Sequence, residues 1–245
     1  MNRGIRYMTG AVIMCALQIF AADFNFLLKL GSSCSWITGK DENSIYYSSF
    51  DEKAQLNPEF GVAFNARYFD YLSFQIECGY ERLGEQYLLR GEKRSVLAAS
   101  DQSKISFSFH YLEVPVILKA HLRSPDYTLQ PNVYAGAATG FLLKSDFSIN
   151  PYATSRLSQS EDPDHTAAIT EGSPRRVDLA FLAGAGLDYP GDYLTIGLDL
   201  RYGASLLPFY KSHVNAHNQS LAAPDVRHMY VSLSMSLVLW SNWFY

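Results

Sequence analysis

Residues 229–240 read MYVSLSMSLVLW, and apolar side chains alternate with serine from Val231 to Leu237. Met229 and Leu233 belong to the apolar set, whereas Ser232 and Ser234 belong to the opposite set. An α-helix would spread these serines around its surface, but successive side chains of a β-strand point to opposite sides. The pattern therefore predicts a strand with one apolar face and one small, polar face.

The same alternation recurs from residue 24 onward, and no sustained period of 3.6 residues competes with it. We predict strands at 24–36, 60–69, 72–81, 111–122, 132–143, 177–189, 194–202 and 229–240. Each is near or above the roughly nine to eleven residues that a tilted membrane strand needs. The chain is therefore predicted to be all-β.

Short and long connections alternate between these segments. The short ones lie near residue 70, at 123–130 and at 190–192, and the long ones lie at 39–57, 86–104, 144–176 and 207–227. Outer-membrane barrels have tight turns at one rim and long loops at the other. We predict an eight-stranded antiparallel up-and-down transmembrane β-barrel.

Formal charges lie on the less apolar face of nearly every predicted strand. An eight-stranded barrel is about as wide as its own side chains, so this face is expected to fill the interior while the apolar face meets lipid. We expect the charges to form a structural ion-pair network. They are Lys29, Arg67, Glu77, Glu81, Glu113, Lys119, Asp178, Asp188, Asp199 and Arg201.

Aromatic residues cluster at the predicted strand ends, where amphipathic rings prefer the headgroup layer. The inner rim is predicted to hold Tyr68, Phe69, Tyr71, Tyr189, Tyr193, Trp240, Trp243, Phe244 and Tyr245. The outer rim is predicted to hold Trp36, Tyr80, Phe107, Phe109, Phe147 and Phe209. Two such belts are the expected girdles of a membrane barrel.

Residues 1–22 resemble a secretory signal peptide, with Arg3 and Arg6 before an apolar run and Ala21 and Ala22 at its end. We therefore predict a signal peptide at 1–22 and a barrel domain at 23–245. Cys34 and Cys78 fall on the first and third predicted strands, which do not pair in an up-and-down barrel. No disulfide between them is expected.

The formal net charge of −4 offers no basic stripe for nucleic acid. No CxxC, phosphate-binding glycine loop or nucleophile elbow occurs in the sequence. We predict no cofactor, no metal, no catalytic residue and no enzymatic activity. His110, His121 and His228 are isolated and lack metal-ligand spacing.

Two polar clusters are candidate sites. His213, His217, Ser220 and Asp225 could act on lipid esters, but their spacing matches no nucleophile motif, and a solvated loop is favoured. Glu161, Asp162, Asp164 and His165 could bind calcium but lack the spacing of a calcium loop, and an acidic loop is favoured.

Three stretches carry a resemblance to the PorT-like outer-membrane β-barrel family. They are HYLEVPVILKAHL at 110–122, NVYAGAATGFLLKS at 132–145 and DLAFLAGAGLDYP at 178–190. The resemblance extends over about 24–245, and OmpA- and OmpX-like barrels are more general relatives in shape. It implies an outer-membrane barrel, in a family of which some members take part in protein secretion.

We therefore expect an integral protein of the Gram-negative outer membrane with a structural or interaction role. Its partners are expected to be outer-membrane lipid and lipopolysaccharide, with proteins binding through long extracellular loops. The alternatives are an outer-leaflet enzyme that modifies lipid A or phospholipid, a secreted lipocalin-like binder, and a narrow pore.

Overall fold

A computed structural model describes residues 23–38, 50–89, 104–122, 129–149, 174–190, 195–208, 213–214, 220–221 and 227–241. The strands are β1 (Asp23–Thr38), β2 (Phe50–Phe69), β3 (Leu72–Leu89), β4 (Lys104–His121), β5 (Gln130–Ile149), β6 (Val177–Pro190), β7 (Thr195–Ser205), β8 (His213–Val214), β9 (Ser220–Leu221) and β10 (Arg227–Ser241). Among these residues, no helix is long and apolar enough to cross a bilayer.

Within the described part of the chain, eight strands close a barrel in the order β1-β10-β7-β6-β5-β4-β3-β2. Every neighbouring pair is antiparallel, and β1 pairs with both β2 and β10. Closure leaves no sheet edge over the paired length. The predicted eight-stranded antiparallel barrel is confirmed. Strands β8 and β9 form a separate two-stranded ladder between β7 and β10.

All eight barrel strands are longer than predicted, and four of them, β2 to β5, are longer by at least six residues. Strand β2 begins at Phe50 and β3 ends at Leu89, while β4 begins at Lys104 and β5 ends at Ile149. Parts of the loops predicted at 39–57, 86–104 and 144–176 are therefore strand. The β2–β3 hairpin and the β4–β5 hairpin each contain a register shift within these extensions. Because a bulge of this kind breaks the period of two, the alternation on which the prediction relied is lost there.

The two faces of each strand meet different surroundings. In β7, Gly197, Asp199 and Arg201 are buried, whereas Leu198 and Leu200 are exposed. The exposed apolar side chains include Phe64, Ile76, Leu118, Val133, Phe181, Leu187, Leu233 and Met235. Soluble monomers rarely expose a continuous apolar surface of this kind, which in a closed barrel is the surface that faces lipid.

Glycines on the inward face make room for rings inside the lumen. A Cβ added to Gly184 would collide with the ring of Tyr134, and one added to Gly203 would collide with the ring of Tyr230. Both tyrosines are buried. At these two positions the narrow interior holds a large side chain because the residue paired with it on the neighbouring strand is a glycine.

The aromatic girdle was partly mispredicted. Tyr68, Phe69 and Tyr71 are exposed at the inner rim, but Phe107 and Phe109 are buried. Both share the inward face of β4 with Tyr111 and Glu113, so they belong to the core. Of the other predicted girdle residues, Tyr193, Phe209, Trp243, Phe244 and Tyr245 lie outside the described residues.

The two cysteines of the barrel are free and lie on the outward face. Cys34 is half-buried and Cys78 is exposed. Strands β1 and β3 are not neighbours in the barrel, as predicted. The leader predicted at 1–22 lies outside the described residues and stays a prediction.

Candidate functional site

A layer of paired charges crosses the middle of the lumen. We call Lys29, Glu77, Lys119, Asp199 and Arg201 the salt-bridge layer. Glu77 accepts hydrogen bonds from Lys29 at 3.0 Å and from Arg201 at 2.7 Å. The Nζ of Lys119 lies 3.6 Å from Asp199 Oδ1. All five side chains are buried, where a charge is tolerated only when it is paired.

The salt-bridge layer joins opposite walls of the barrel. In the ring of eight strands, β3 with Glu77 and β7 with Arg201 lie four positions apart, which is directly across the lumen. Tyr134 of β5 lies beneath two cations, with its ring centre 5.5 Å from Lys119 Nζ and 5.8 Å from Arg201 Cζ. The lumen is thus bridged by side chains at this level.

A second layer, nearer the outer rim, consists of two carboxyl groups and a phenol. We call Glu81, Glu113 and Tyr230 the acidic layer. The Tyr230 hydroxyl donates to Glu113 at 3.2 Å, and the carboxyl groups of Glu81 and Glu113 are both buried. Strands β4 and β10 also face each other across the ring, so this layer spans the lumen as well.

A cavity of about 20 Å³ lies between the two layers, against the paired glycines Gly61 and Gly79. Its polar lining includes Lys29, Glu77, Glu81, Glu113 and Arg201. This space has room for about one water molecule. It is far smaller than the roughly 300 Å³ at which small-molecule sites begin.

The remaining predicted interior charges lie toward the two ends of the lumen. Arg67, half-buried at the inner end, donates to Gln130 at 3.1 Å. Half-buried Asp188 accepts from Asn132 at 3.0 Å. Asp178, near the outer end, is buried and accepts a hydrogen bond from Ser205. The structure thus places all ten predicted residues on the inward face, with Arg67 and Asp188 half-buried.

The three histidines described as isolated each have neighbours in space. His121 contacts Arg67 and Ser73 at the inner end. His228 is buried with its ring 5.0 Å from that of Phe109. These contacts join different strands, so the spacing of histidines along the sequence could not reveal them. Among the described residues, no three His, Cys, Asp or Glu side chains form a group able to hold a metal ion.

His110 belongs to a hydrogen-bonded series on the outward face of the outer rim. Its Nδ1 lies 2.5 Å from the hydroxyl of Tyr80, and its Nε2 lies 3.1 Å from Asp146 Oδ2. Lys144 Nζ lies 2.7 Å from the other oxygen of Asp146. We call Tyr80, His110, Asp146 and Lys144 the rim relay. The arrangement joins β3, β4 and β5.

The loop candidates are only partly described. His213 and Ser220 lie on the paired strands β8 and β9, in register with Leu221 and Val214 respectively. His217 and Asp225 lie outside the described residues. The calcium candidates Glu161, Asp162, Asp164 and His165 also lie outside them.

Sequence reasoning missed several buried polar residues. Gln55 and Asn57 are buried on the part of β2 predicted as loop, and Glu85 is buried on β3 beyond the predicted end of that strand at residue 81. Tyr230 and His228 share the inward face with Ser232, which the alternation of β10 already implied. The buried residues of β2 and β3 could not be found without knowing how long those strands are. Tyr230 and His228 could have been found by extending the alternation of β10.

The comparisons with known proteins agree with this architecture. A family model described as "Outer membrane protein beta-barrel domain" matches residues 18–211. No curated protein matches the chain.

Several solved structures are similar in outline. OprG from Pseudomonas aeruginosa shares 10% identity, with 89% of this chain and 93% of that chain covered and a TM-score of 0.44. The N-terminal β-barrel domain of Pseudomonas aeruginosa OprF shares 10% identity, covering 86% and 96%, with a TM-score of 0.36. Ail of Yersinia pestis, in complex with the heparin analogue sucrose octasulfate, shares 12% identity, covering 88% and 97%, with a TM-score of 0.39.

The family match spans most of the chain, and it includes every barrel strand except β10. The closed barrel, with charged interior and apolar exterior, supplies the physical form that such a protein needs in lipid. The chain belongs to the outer membrane protein β-barrel domain family and is a β-barrel of the bacterial outer membrane.

Proposed function

We propose that this protein is a closed scaffold of the outer membrane whose role is structural or interactive. The observation that carries the proposal is the pair of contacts across the lumen, Arg201 to Glu77 and Tyr230 to Glu113. Side chains that meet from opposite walls leave little cross-section for solutes. The interior charges then serve to stabilise the barrel rather than to line a pore.

Binding is proposed to take place outside the lumen. The connections at 39–49, 90–103, 150–176 and 206–226 all leave the barrel at one rim, while the short connections leave at the other. Loops held by a rigid scaffold can vary in sequence without disturbing the fold. The outer-membrane lipids, including lipopolysaccharide, surround the apolar wall, and protein partners would bind the loops.

The resemblance to PorT-like barrels supports a narrower proposal, that the protein assists the secretion of other proteins. The lumen is too filled to pass a polypeptide, so the contribution would be to hold partners at the membrane. Crosslinking in cells followed by affinity purification tests this proposal. Recovery of secretion components is expected, and their absence from repeated crosslinked samples would contradict it.

Planar-bilayer conductance tests the closed lumen. We expect the wild-type protein to give no discrete conductance steps. The double variant Arg201→Ala, Glu77→Ala removes one contact across the lumen and should give more open events than the control Leu200→Ala, whose substitution faces lipid. Regular steps from the wild-type barrel would contradict the proposal.

A further inference from the structure

The rim relay has the arrangement of a nucleophile, a base and a group that orients the base. We propose that Tyr80 and His110, oriented by Asp146, hydrolyse a carboxylic ester of a phosphate-bearing lipid in the outer leaflet. This activity goes beyond the interaction role. It depends on the outer-membrane location, and it does not depend on the proposed scaffold function.

The hydrogen bonds fix the direction in which a proton can move. Asp146 accepts from Lys144 and therefore presents an acceptor oxygen to His110. The Nε2 of His110 must then carry its hydrogen and donate to Asp146. This tautomer leaves the lone pair on Nδ1, which accepts the Tyr80 hydroxyl proton. The same division of roles allows a histidine to activate a hydroxyl nucleophile.

Tyr80 lies toward the outer edge of the apolar exterior. Eight positions separate it from Leu72 at the inner end of β3, which corresponds to about 20 Å along the axis for a tilted strand. The apolar band of such barrels is about 25 Å tall. The Tyr80 ring stacks on the exposed Phe60 at 5.0 Å between ring centres, as expected of girdle residues. Ester carbonyls occupy this boundary between acyl chains and headgroups.

The rim relay contains an exposed cation. Lys144 is exposed and pairs with Asp146. Arg82, the cross-strand partner of His110, instead donates to the buried Ser108 at 2.7 Å and has a buried Nε. Because lysine attracts phosphate, a lipid with a phosphate headgroup would be drawn to this part of the rim. Phospholipids and lipid A share that chemistry.

The reaction proceeds in two balanced steps. Tyr80 Oη attacks the ester carbonyl carbon as its proton passes to His110 Nδ1, and the bond to the alcohol breaks as His110 returns that proton to the alcohol oxygen. Water then attacks the acyl-tyrosine, His110 accepts the water proton, and Tyr80 regains it as the fatty acid leaves. Tyr80 and His110 are the catalytic residues, and Asp146 is a positioning residue.

The test uses the full chain in vesicles of phosphatidylethanolamine, with or without lipopolysaccharide, and measures released fatty acid by mass spectrometry. Wild-type protein is expected to release fatty acid, and the two vesicle types distinguish phospholipid from lipid A as the source. Tyr80→Phe and His110→Gln should each lower the rate by about 100-fold or more. Asp146→Asn should lower it less and shift its pH profile.

The matched control is Tyr202→Phe, which removes an outward phenol whose hydroxyl lies 3.4 Å from Met229 Sδ. This variant should keep the wild-type rate. Heat-modifiable gel mobility shows that each variant is folded. No release from either vesicle type, or equal release by Tyr80→Phe, would overturn the proposal and leave the rim relay as a fastening between strands.

A lipid-like fluorophosphonate gives an independent readout. It should add one alkylphosphonyl group to Tyr80 Oη with loss of fluoride, and peptide mass spectrometry locates the adduct. His110→Gln should abolish this labelling because the phenol then lacks its base. Labelling that is unchanged in His110→Gln would contradict the assigned roles. Neither result bears on conductance or on partner binding, so the scaffold proposal is tested separately.

Discussion

The salt-bridge layer and the acidic layer lie next to each other in the lumen and share strands β3 and β4, yet they stabilise the lumen differently. In the former, each carboxylate has a cation within 4.0 Å. In the latter, Glu81 and Glu113 are buried without a salt bridge to any described cation, and Tyr230 donates to Glu113. Burial without a cation favours the neutral, protonated form of a carboxyl group.

The difference shows two ways to fill a narrow polar interior. Full charges in a poorly solvated space need partners of opposite sign, and removing one partner leaves the other uncompensated. A buried carboxyl group in its neutral form needs no such partner. Variants of the first layer should therefore be costly, whereas neutral variants of the second should be well tolerated.

Arg201→Met gives the largest expected effect, because it leaves Glu77 with Lys29 alone. Loss of one partner from a buried pair costs about 3–5 kcal/mol. Thermal unfolding in detergent, followed by heat-modifiable gel mobility, measures the loss. The control Leu200→Met lies on the same strand and faces lipid. A melting temperature equal to that of the control would contradict the role assigned to the salt-bridge layer.

Gly184→Ala and Gly203→Ala test the space beneath the two lumenal rings. The added methyl must displace Tyr134 in the first case and Tyr230 in the second, and such overpacking costs about 1–3 kcal/mol. We expect the larger loss for Gly184→Ala, since Tyr134 also lies beneath two cations. Urea unfolding of detergent-solubilised protein compares them. Adding Tyr230→Leu should restore part of the stability lost in Gly203→Ala, and no restoration would refute the packing argument.

Glu113→Gln gives the smallest expected effect, below about 1 kcal/mol. An amide is neutral, as a protonated carboxyl group is, and it can donate to Glu81 and still accept from Tyr230. The matched variant is Glu77→Gln, which places a neutral group between two cations and should cost several-fold more by the same unfolding assay. Equal losses in the two variants would remove the distinction between the layers.

The fold was predictable because it depends on local alternation and on connection length. Strand β10 shows the period of two from Val231 to Leu237, before its register with β1 shifts between Val238 and Trp240, so its position and its faces followed from the sequence. The outer parts of β2 to β5 did not, because bulges at Ala54/Glu59 and His110/Tyr111 interrupt the alternation. Pairing with the neighbouring strand keeps these polar segments extended.

The contacts between individual side chains were less predictable than the strand face on which each side chain lies. The sequence indicated which side carries Glu77 and Arg201, but only strand order and register place them across the lumen from each other. The rim relay depends on register even more, since a shift on β5 brings Lys144 opposite His110. A one-residue error in register would turn Asp146 to the other face.

Spin-label accessibility along β7 in lipid vesicles tests most directly which face meets lipid. Single labels at positions 196 to 203 are compared for collision with oxygen, which concentrates in lipid, and with a water-soluble nickel chelate. Ile196, Leu198, Leu200 and Tyr202 should be accessible to oxygen, with the intervening positions protected from both reagents. High accessibility of those four positions to the nickel chelate would contradict the membrane barrel described above.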